Sequence, residues 1–273
     1  MAQYSIWRVT PMNYSHTQAF DHLAIALESG LKELGHDCIT VTNYWDAKGK
    51  CIILGANLLH TRSYFPENPI IFNLEQITPG SPWLTDVYVE LLKKFPVWDY
   101  SVQNILELEK LGIRAELCKI GYAPELTRIP KRLKEETDVL FVGSMNERRM
   151  KLCNELAKHC DVVAAYNKYG DELDHLISKS KIVLNLHFYE AKIFEIVRCS
   201  YLMANKKCIV SEFGEDDDLE QPFYGSICFA DYDEIIDKCL MLLKDDSIRN
   251  DYENKGFETF SQMKQSEYLK EIL

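Results

Sequence analysis

Short apolar runs without polar alternation, each separated from the next by a stretch of helical spacing or a turn, constrain this chain more than any other feature. In the first half the runs fall at residues 4–9, 38–41, 51–54, 70–74, 97–100 and 115–120. An apolar run lacking alternation is a strand buried on both faces, and strands interleaved with helices build a parallel sheet covered on both sides. The segment 18–34 places Phe20, Leu23, Ala24, Ala26, Leu27, Leu31 and Leu34 on one helical face, and Gly35 is the glycine that closes it. Residues 83–94 and 101–111 read as two further helices.

The pattern pauses at 122–136, where Pro124, Pro130 and a dense run of charge read as an exposed linker. It then restarts, with strands at 139–142, 161–165, 182–186, 208–210 and 227–230 and helices at 148–159, 171–179, 191–204 and 232–243. The expected fold is α/β with two Rossmann-like domains, 1–121 and 137–247, and a C-terminal helix, 248–273, packing back on the first. At 47% hydrophobic and 27% charged residues the chain has ordinary globular usage, not the composition of a disordered one. The apolar runs fall well short of the ~18 residues of a membrane span. The first ten residues show no basic cluster leading into an apolar stretch, so no secretory leader is expected. Nine scattered cysteines, never spaced Cys-x-x-Cys, suggest neither a disulfide framework nor a zinc site and point to the cytoplasm. The net charge of -11 disfavours wholesale binding to a phosphate backbone. Lys93, Lys94 and the cluster Arg128, Lys131, Arg132 and Lys134 could still line a groove, so a nucleic-acid partner is possible but not favoured.

Two stretches carry candidate chemistry. In the first, a strand meets a helix through Gly143, Ser144 and Asn146, followed by Arg148 and Arg149. Gly143 permits close backbone approach, Ser144 and Asn146 offer hydrogen bonds, and arginines in a first helical turn suit a diphosphate. Plain turn chemistry with solvated arginines explains the same residues. The second runs from Asn185 at a strand end through His187 and Glu190 in a loop to Lys192, Glu195 and Arg198 on the expected helix. A carboxylate in a first turn can accept both hydroxyls of a ribose, while Lys192 and free helix amides face phosphate oxygens. The competing reading is a surface ion-pair ladder beside a buried histidine.

The order of the Gly143-Ser144 loop, the turn at 166–170, the Asn185 strand end, Ile193-Phe194-Glu195 and a strand ending Ser211-Glu212 resembles the donor half of GT-B glycosyltransferases. It is most similar to glycosyl transferases group 1 and their spore-maturation-type relatives. The resemblance implies two parallel-sheet domains facing a central cleft, with Gly143, Ser144, Arg148, Arg149 and Lys192 on the diphosphate and Glu195 on the ribose. It implies that Tyr166 and Tyr169 line the base, and Asn146, Asn185 and His187 join the donor set. Retaining members often carry two glutamates eight apart; here His187 stands where the first would be, which leaves the stereochemical outcome open.

In the first domain, Asn13, Tyr14, Ser15 and His16 lie between the first strand and helix, where open sheets carry sites. His16 is the candidate base for an acceptor hydroxyl, or a capping neighbour of Thr17. Tyr14, Ser15, Asn73, Glu75 and Gln76 are the acceptor-side candidates. Asp216 and Asp218 form a formal Asp-x-Asp, but an acidic loop is more often a solvated surface, and no metal or cofactor is expected. The activity implied is transfer of a sugar from a nucleoside diphosphate sugar to an acceptor hydroxyl of a glycan, a metabolite or a hydroxymethylated DNA base. A nucleotide-sugar epimerase and a non-catalytic nucleotide-binding module are the alternatives.

Overall fold

The computed structural model describes residues 1–12, 14–59, 65–78, 80–131, 134–189 and 191–273, and the chain divides into two units. Asn13, Arg132 and Glu190 lie outside the described residues, as does the side chain of Ser15.

The first unit is Met1–Glu125 with Met263–Leu273. It contains β1 (Gln3–Arg8), α1 (Asp21–Glu33), β2 (Asp37–Val41), β3 (Lys50–Leu54), β4 (Asn68–Asn73), α2 (Asp86–Lys94), β5 (Val97–Asp99), α3 (Val102–Lys110) and β6 (Ala115–Leu117). The strands form one parallel sheet in the order β2-β1-β3-β4-β5-β6. Because strand side chains alternate, Trp7, Ile53, Ile71 and Val97 share one face, where Tyr88, Leu91 and Leu92 of α2 and Leu108 of α3 cover them. On the other face lie Ile6, Ile52 and Phe72, all buried. Helix α1 ends as the sequence implies: Gly35 takes φ +80° and the amides of Gly35 and His36 return to the carbonyls of Lys32 and Leu31, both at 3.0 Å. Its start differs, because Ser15–Phe20 winds as a 3₁₀ turn before the α-helix proper.

The second unit is Leu126–Gln262. Its elements are β7 (Thr137–Val142), α4 (Glu147–Leu156), β8 (Val162–Ala165), α5 (Gly170–Lys179), β9 (Ser180–Asn185), α6 (Ile196–Ala204), β10 (Cys208–Glu212), α7 (Asp217–Glu220), β11 (Cys228–Ala230), α8 (Ile235–Lys244) and α9 (Asp246–Ser261). The parallel order is β11-β10-β9-β7-β8, with Val139 beside Ile182 and Leu184 beside Val210. Phe141, Leu184 and Val210 pack with Leu152 and Leu156 of α4 and Leu242 of α8 in one core.

Three expectations change. Residues 126–131 are not a free linker but are tied into the second unit, although Thr127, Arg128, Pro130 and Lys131 are exposed. Leu126 is buried, the amides of Arg128 and Ile129 donate to Asn205 Oδ1 at 2.9 and 2.8 Å, and Asn205 Nδ2 donates to the Leu126 carbonyl at 2.8 Å. The segment 248–273 is two helices, of which α9 packs on α6 and β10 in the second unit while α10 (Gln265–Ile272) packs on α1 in the first. The helix expected at 191–204 begins only at Ile196. Its first residues stay out of the helix: Lys192 takes the left-handed region at φ +45°, its carbonyl accepts from the Glu215 amide at 3.0 Å, and Ile193 and Phe194 are both buried. Two buried apolar residues at neighbouring positions imitate helical periodicity, which explains the misreading.

Gly30 explains how α10 seats on α1, since a Cβ there would meet Leu269 Cδ1 at 2.9 Å and the Ser266 amide at 3.1 Å. The helix tolerates a residue that costs about 1 kcal/mol against alanine in exchange for this approach. Gly30→Val is expected to push α10 off α1, read as faster amide hydrogen exchange across 265–272 with exchange in the second sheet unchanged.

Candidate functional site

In the second sheet β7 has β8 on one side and β9 on the other, so the direction of winding reverses between β7 and β9. Open α/β sheets bind ligands outside the carboxyl ends of the strands at such a reversal. β7 ends at Gly143-Ser144 and β9 ends at Asn185, so the two stretches singled out in the sequence meet at this point.

Asn146 caps α4, its Oδ1 accepting from the Arg149 amide at 2.9 Å. Gly143 has φ +143°, and a Cβ on it would lie 3.3 Å from Arg198 Nη2 and 3.5 Å from Arg149 Nη1. Glycine therefore makes room for two guanidinium groups. Arg149 is buried. It donates to the carbonyls of Ser144, at 2.8 Å, and Leu186, sits over the rings of Phe141 and Phe188, and has Nη2 3.8 Å from Glu195 Oε1. Burial and then the like charge of Arg198 pull its pKa down to about 10.

Asn185 ties the cluster together. Its Nδ2 donates to Glu195 Oε2 at 2.9 Å and to Ser211 Oγ at 3.1 Å, while its Oδ1 accepts from Arg198 Nη1 at 2.7 Å. Arg148 forms a two-pronged pair with the buried Glu212, donating Nη1 to Oε2 at 2.8 Å and Nη2 to Oε1, and its guanidinium lies 3.9 Å from the centre of the Tyr232 ring. Lys192 Nζ is 3.9 Å from Glu212 Oε1. Burial pushes Glu195 up, but His187, Arg198 and Asn185 outweigh it and hold the carboxyl below the usual range. Glu220 accepts the Gly214 amide at 2.6 Å, and burial raises its pKa to about 7. Arg148, Arg149, Arg198 and Lys192 thus gather around the carboxyl groups of Glu195 and Glu212, an arrangement that an anion would complete.

Lys192 and Glu195 do not share a helix face as expected, since both precede α6. Glu195 is its N-cap residue. Ser144 is exposed, as is Tyr166, and Tyr169 is half-buried as the N-cap residue of α5 beyond the end of β8. Arg198, Ser211 and Glu212 stand in the motifs read from the sequence but were given no donor role there, and Glu220 was not named; all four belong to the cluster. Arg198 had a signal, its spacing of three from Glu195; Glu220 had none.

The first unit places its candidates differently. His16 lies half-buried in the 3₁₀ turn with Tyr14, ring centres 5.2 Å apart. Asn73 is not open to an acceptor. It is fully buried, donating to Asp99 Oδ2 at 2.6 Å and to the Glu75 carbonyl at 2.9 Å, and accepting from the Tyr88 hydroxyl at 2.7 Å. Asn104 Nδ2 donates to Asp99 Oδ1 at 3.1 Å, and burial raises the Asp99 pKa to about 7. Gln76 is buried beside this network, whereas Glu75 is half-buried, accepts from Asn57 Nδ2 at 2.9 Å and is raised by burial to about 7. Among the described residues no group of three His, Cys, Asp or Glu could hold a metal ion, and no helix is long and apolar enough to cross a membrane.

The fold is the GT-B fold of glycosyltransferases. A variant of T4 phage BGT in complex with UDP-glucose superposes with a TM-score of 0.66 at 12% identity, over 99% of this chain and 98% of that one. Anabaena HepE in complex with UDP-glucose gives 0.65 at 9% identity over 99% of each chain. AviGT4, a glycosyltransferase involved in avilamycin A biosynthesis, gives 0.60 at 13% identity over 99% of this chain and 96% of that one. In sequence, "Uncharacterized protein R358" of Acanthamoeba polyphaga mimivirus is 31% identical over 200 residues, 71% of this chain and 68% of R358. The chain belongs to the family of this mimivirus protein. A second mimivirus relative, "Uncharacterized protein L140", is 29% identical over 186 residues, 64% of this chain; the match spans 59% of L140. No family model matches.

The Arg148–Glu212 pair is asymmetric, because the arginine reaches solvent and the glutamate does not, with side-chain exposures of 35% and 2%. Removing the arginine strands a buried carboxylate, whereas removing the carboxylate leaves a cation that water can reach. Arg148→Met is therefore expected to destabilise the second unit by about 3 kcal/mol and Glu212→Gln by distinctly less, measured by urea unfolding.

Proposed function

We propose that the chain is a glycosyltransferase that takes a sugar from a nucleoside diphosphate sugar held by the second unit and passes it to an acceptor hydroxyl bound by the first. The observation that carries this reading is the gathering of Arg148, Arg149, Arg198 and Lys192 around Glu195 and Glu212 at the winding reversal of the second sheet. A diphosphate supplies the anionic charge that such a group lacks, and the charge grows on the leaving group as the glycosidic bond breaks. Glu195 has one oxygen committed to Asn185 and the other turned toward Arg149 at 3.8 Å. That second oxygen is the one offered to a ribose hydroxyl. Ser144 and Asn146 join the phosphate side, and exposed Tyr166, with Tyr169, supplies a face for the base, a contact worth about 1–3 kcal/mol. UDP is the first nucleotide to test, because the T4 phage BGT and HepE structures hold UDP-glucose.

With four cations in place, we propose that the reaction needs no metal. On the acceptor side two groups can receive the hydroxyl proton, His16 and Glu75, the second tuned by burial to about 7, where a general base works well. Tyr14, Ser15 and Gln76 are the other acceptor-side candidates. A glycan, a metabolite and a hydroxymethylated DNA base remain the acceptor classes; one structure of this fold is that of a DNA modifying β-glucosyltransferase. All nine cysteines are free thiols, which suits a reducing cytoplasm.

UDP at about 100 times its dissociation constant is expected to stabilise the protein by about 2.7 kcal/mol in a thermal-shift titration, and Glu195→Gln to weaken that shift without unfolding the chain. A chain that no nucleoside diphosphate stabilises would refute the donor site.

Turnover of UDP-sugar is expected to survive EDTA. Loss of activity with EDTA and its return with manganese would make the acidic loop at 216–218 functional. The base is located by comparing His16→Ala with Glu75→Gln, one of which is expected to lower kcat by about 10² to 10⁴ while leaving UDP affinity intact.

A further inference from the structure

His187 is buried, and both of its ring nitrogens lie close to atoms that can only accept. Nδ1 is 3.1 Å from Glu195 Oε2, at ion-pair distance though not aligned for a hydrogen bond, and Nε2 lies 3.2 Å from the Glu212 backbone carbonyl. A neutral imidazole carries one N–H and leaves a bare lone pair on the other nitrogen, which here would oppose an oxygen lone pair. At 3.2 Å no water fits between Nε2 and the Glu212 carbonyl. The charged groups around the ring come from each packed element. Glu195 precedes α6, Glu212 ends β10 and also accepts the His187 amide at 3.3 Å, Glu220 comes from α7, and Arg148 of α4 reaches the His187 carbonyl at 3.5 Å. Arg149, also of α4, faces the far oxygen of Glu195 at 3.8 Å.

We propose that His187 is an imidazolium that holds Glu195 against the end of β10, by its charge at Nδ1 and by an N–H at Nε2, and that this single proton fixes the carboxylate for nucleotide binding. The role in binding rests on the donor-site reading above; the charge of the ring does not. His187 is a positioning residue, acting on the nucleotide through Glu195. Saturating Glu195 Oε2 with Asn185 and His187 leaves Oε1 as the free acceptor. The electrostatics agree in direction. Burial alone would lower the His187 pKa, but Glu195, with Glu212 and Glu220, raises it above the ordinary value. A folded-state pKa above the unfolded one means that this contact contributes fully below roughly pH 6.5 and is lost as pH rises through the raised value.

Imidazole nitrogen NMR of ¹⁵N-histidine-labelled protein, with the His187 signals assigned by their loss in His187→Gln, tests the charge. Both nitrogens are expected protonated at pH 7 without nucleotide, and Glu195→Gln is expected to lower the titration midpoint. A neutral tautomer at pH 7 overturns the proposal. Calorimetric titration with UDP across the alkaline range tests the consequence: affinity is expected to fall by up to about tenfold per pH unit in the parent protein, and to be flatter in His187→Gln. Equal pH profiles in the two proteins would overturn the link between the proton and binding. If UDP binds at no pH, it is the donor-site reading that fails, and the nitrogen signals still decide the charge.

Discussion

Three arginines at the end of one parallel strand pair are the constraint around which the second unit is arranged. Guanidinium groups cannot lose their protons to escape burial, so each must find acceptors within reach. Arg149 takes two backbone carbonyls, Arg148 takes both oxygens of Glu212, and Arg198 takes the Asn185 amide oxygen. These demands explain why glycine stands at 143, why residues 191–195 stay out of α6, and why β10 ends in a buried glutamate. The non-helical path of 191–195 lets Glu195 reach Asn185 at the end of β9 while the Lys192 carbonyl accepts from the Glu215 amide.

The two sheets carry different electrostatics at their carboxyl ends. At the end of β4 and β5 in the first unit, Asp99 and Glu75 accept from the amides of Asn73, Asn104, Ser101 and Asn57, and burial lifts both to about 7. At the end of β7, β9 and β10 in the second, Arg148, Arg149, Arg198 and Lys192 gather, and Glu195 is held low. One edge is suited to exchanging a proton near neutral pH and the other to holding an anion. Two sheets of similar winding thus acquire different chemistry from a few strand-end residues, while the cores beneath them are built alike from Ile, Val, Leu and Phe.

Much of this was legible in the chain. Non-alternating apolar runs identify strands buried on both faces, and interleaved helices leave a parallel sheet as their arrangement, so the fold class followed from local patterning. Glycine at 35, Asn146 before α4 and the strand end at Asn185 are local signals too, because turn and cap chemistry act within a few residues. The grouping of Gly143, Arg148, Arg149, Asn185, His187 and Glu195 was also readable, since strand ends on either side of a winding reversal are neighbours in any such sheet.

What the sequence by itself determined, then, was which segments are strands and which residues stand at their ends. Only the tertiary structure decided which charges meet. Glu212 pairs with Arg148 across 64 positions, and Asn205 holds residues 128 and 129 from 77 and 76 positions away. It also decided that Asn73 is locked in a buried network, that the C-terminal segment divides between the two units, and that residues 191–195 stay out of a helix. Periodicity reports the burial of single side chains along one element. It carries no record of the partners a buried charge finds on other strands, and here those partners set the backbone path and the ionisation of the site.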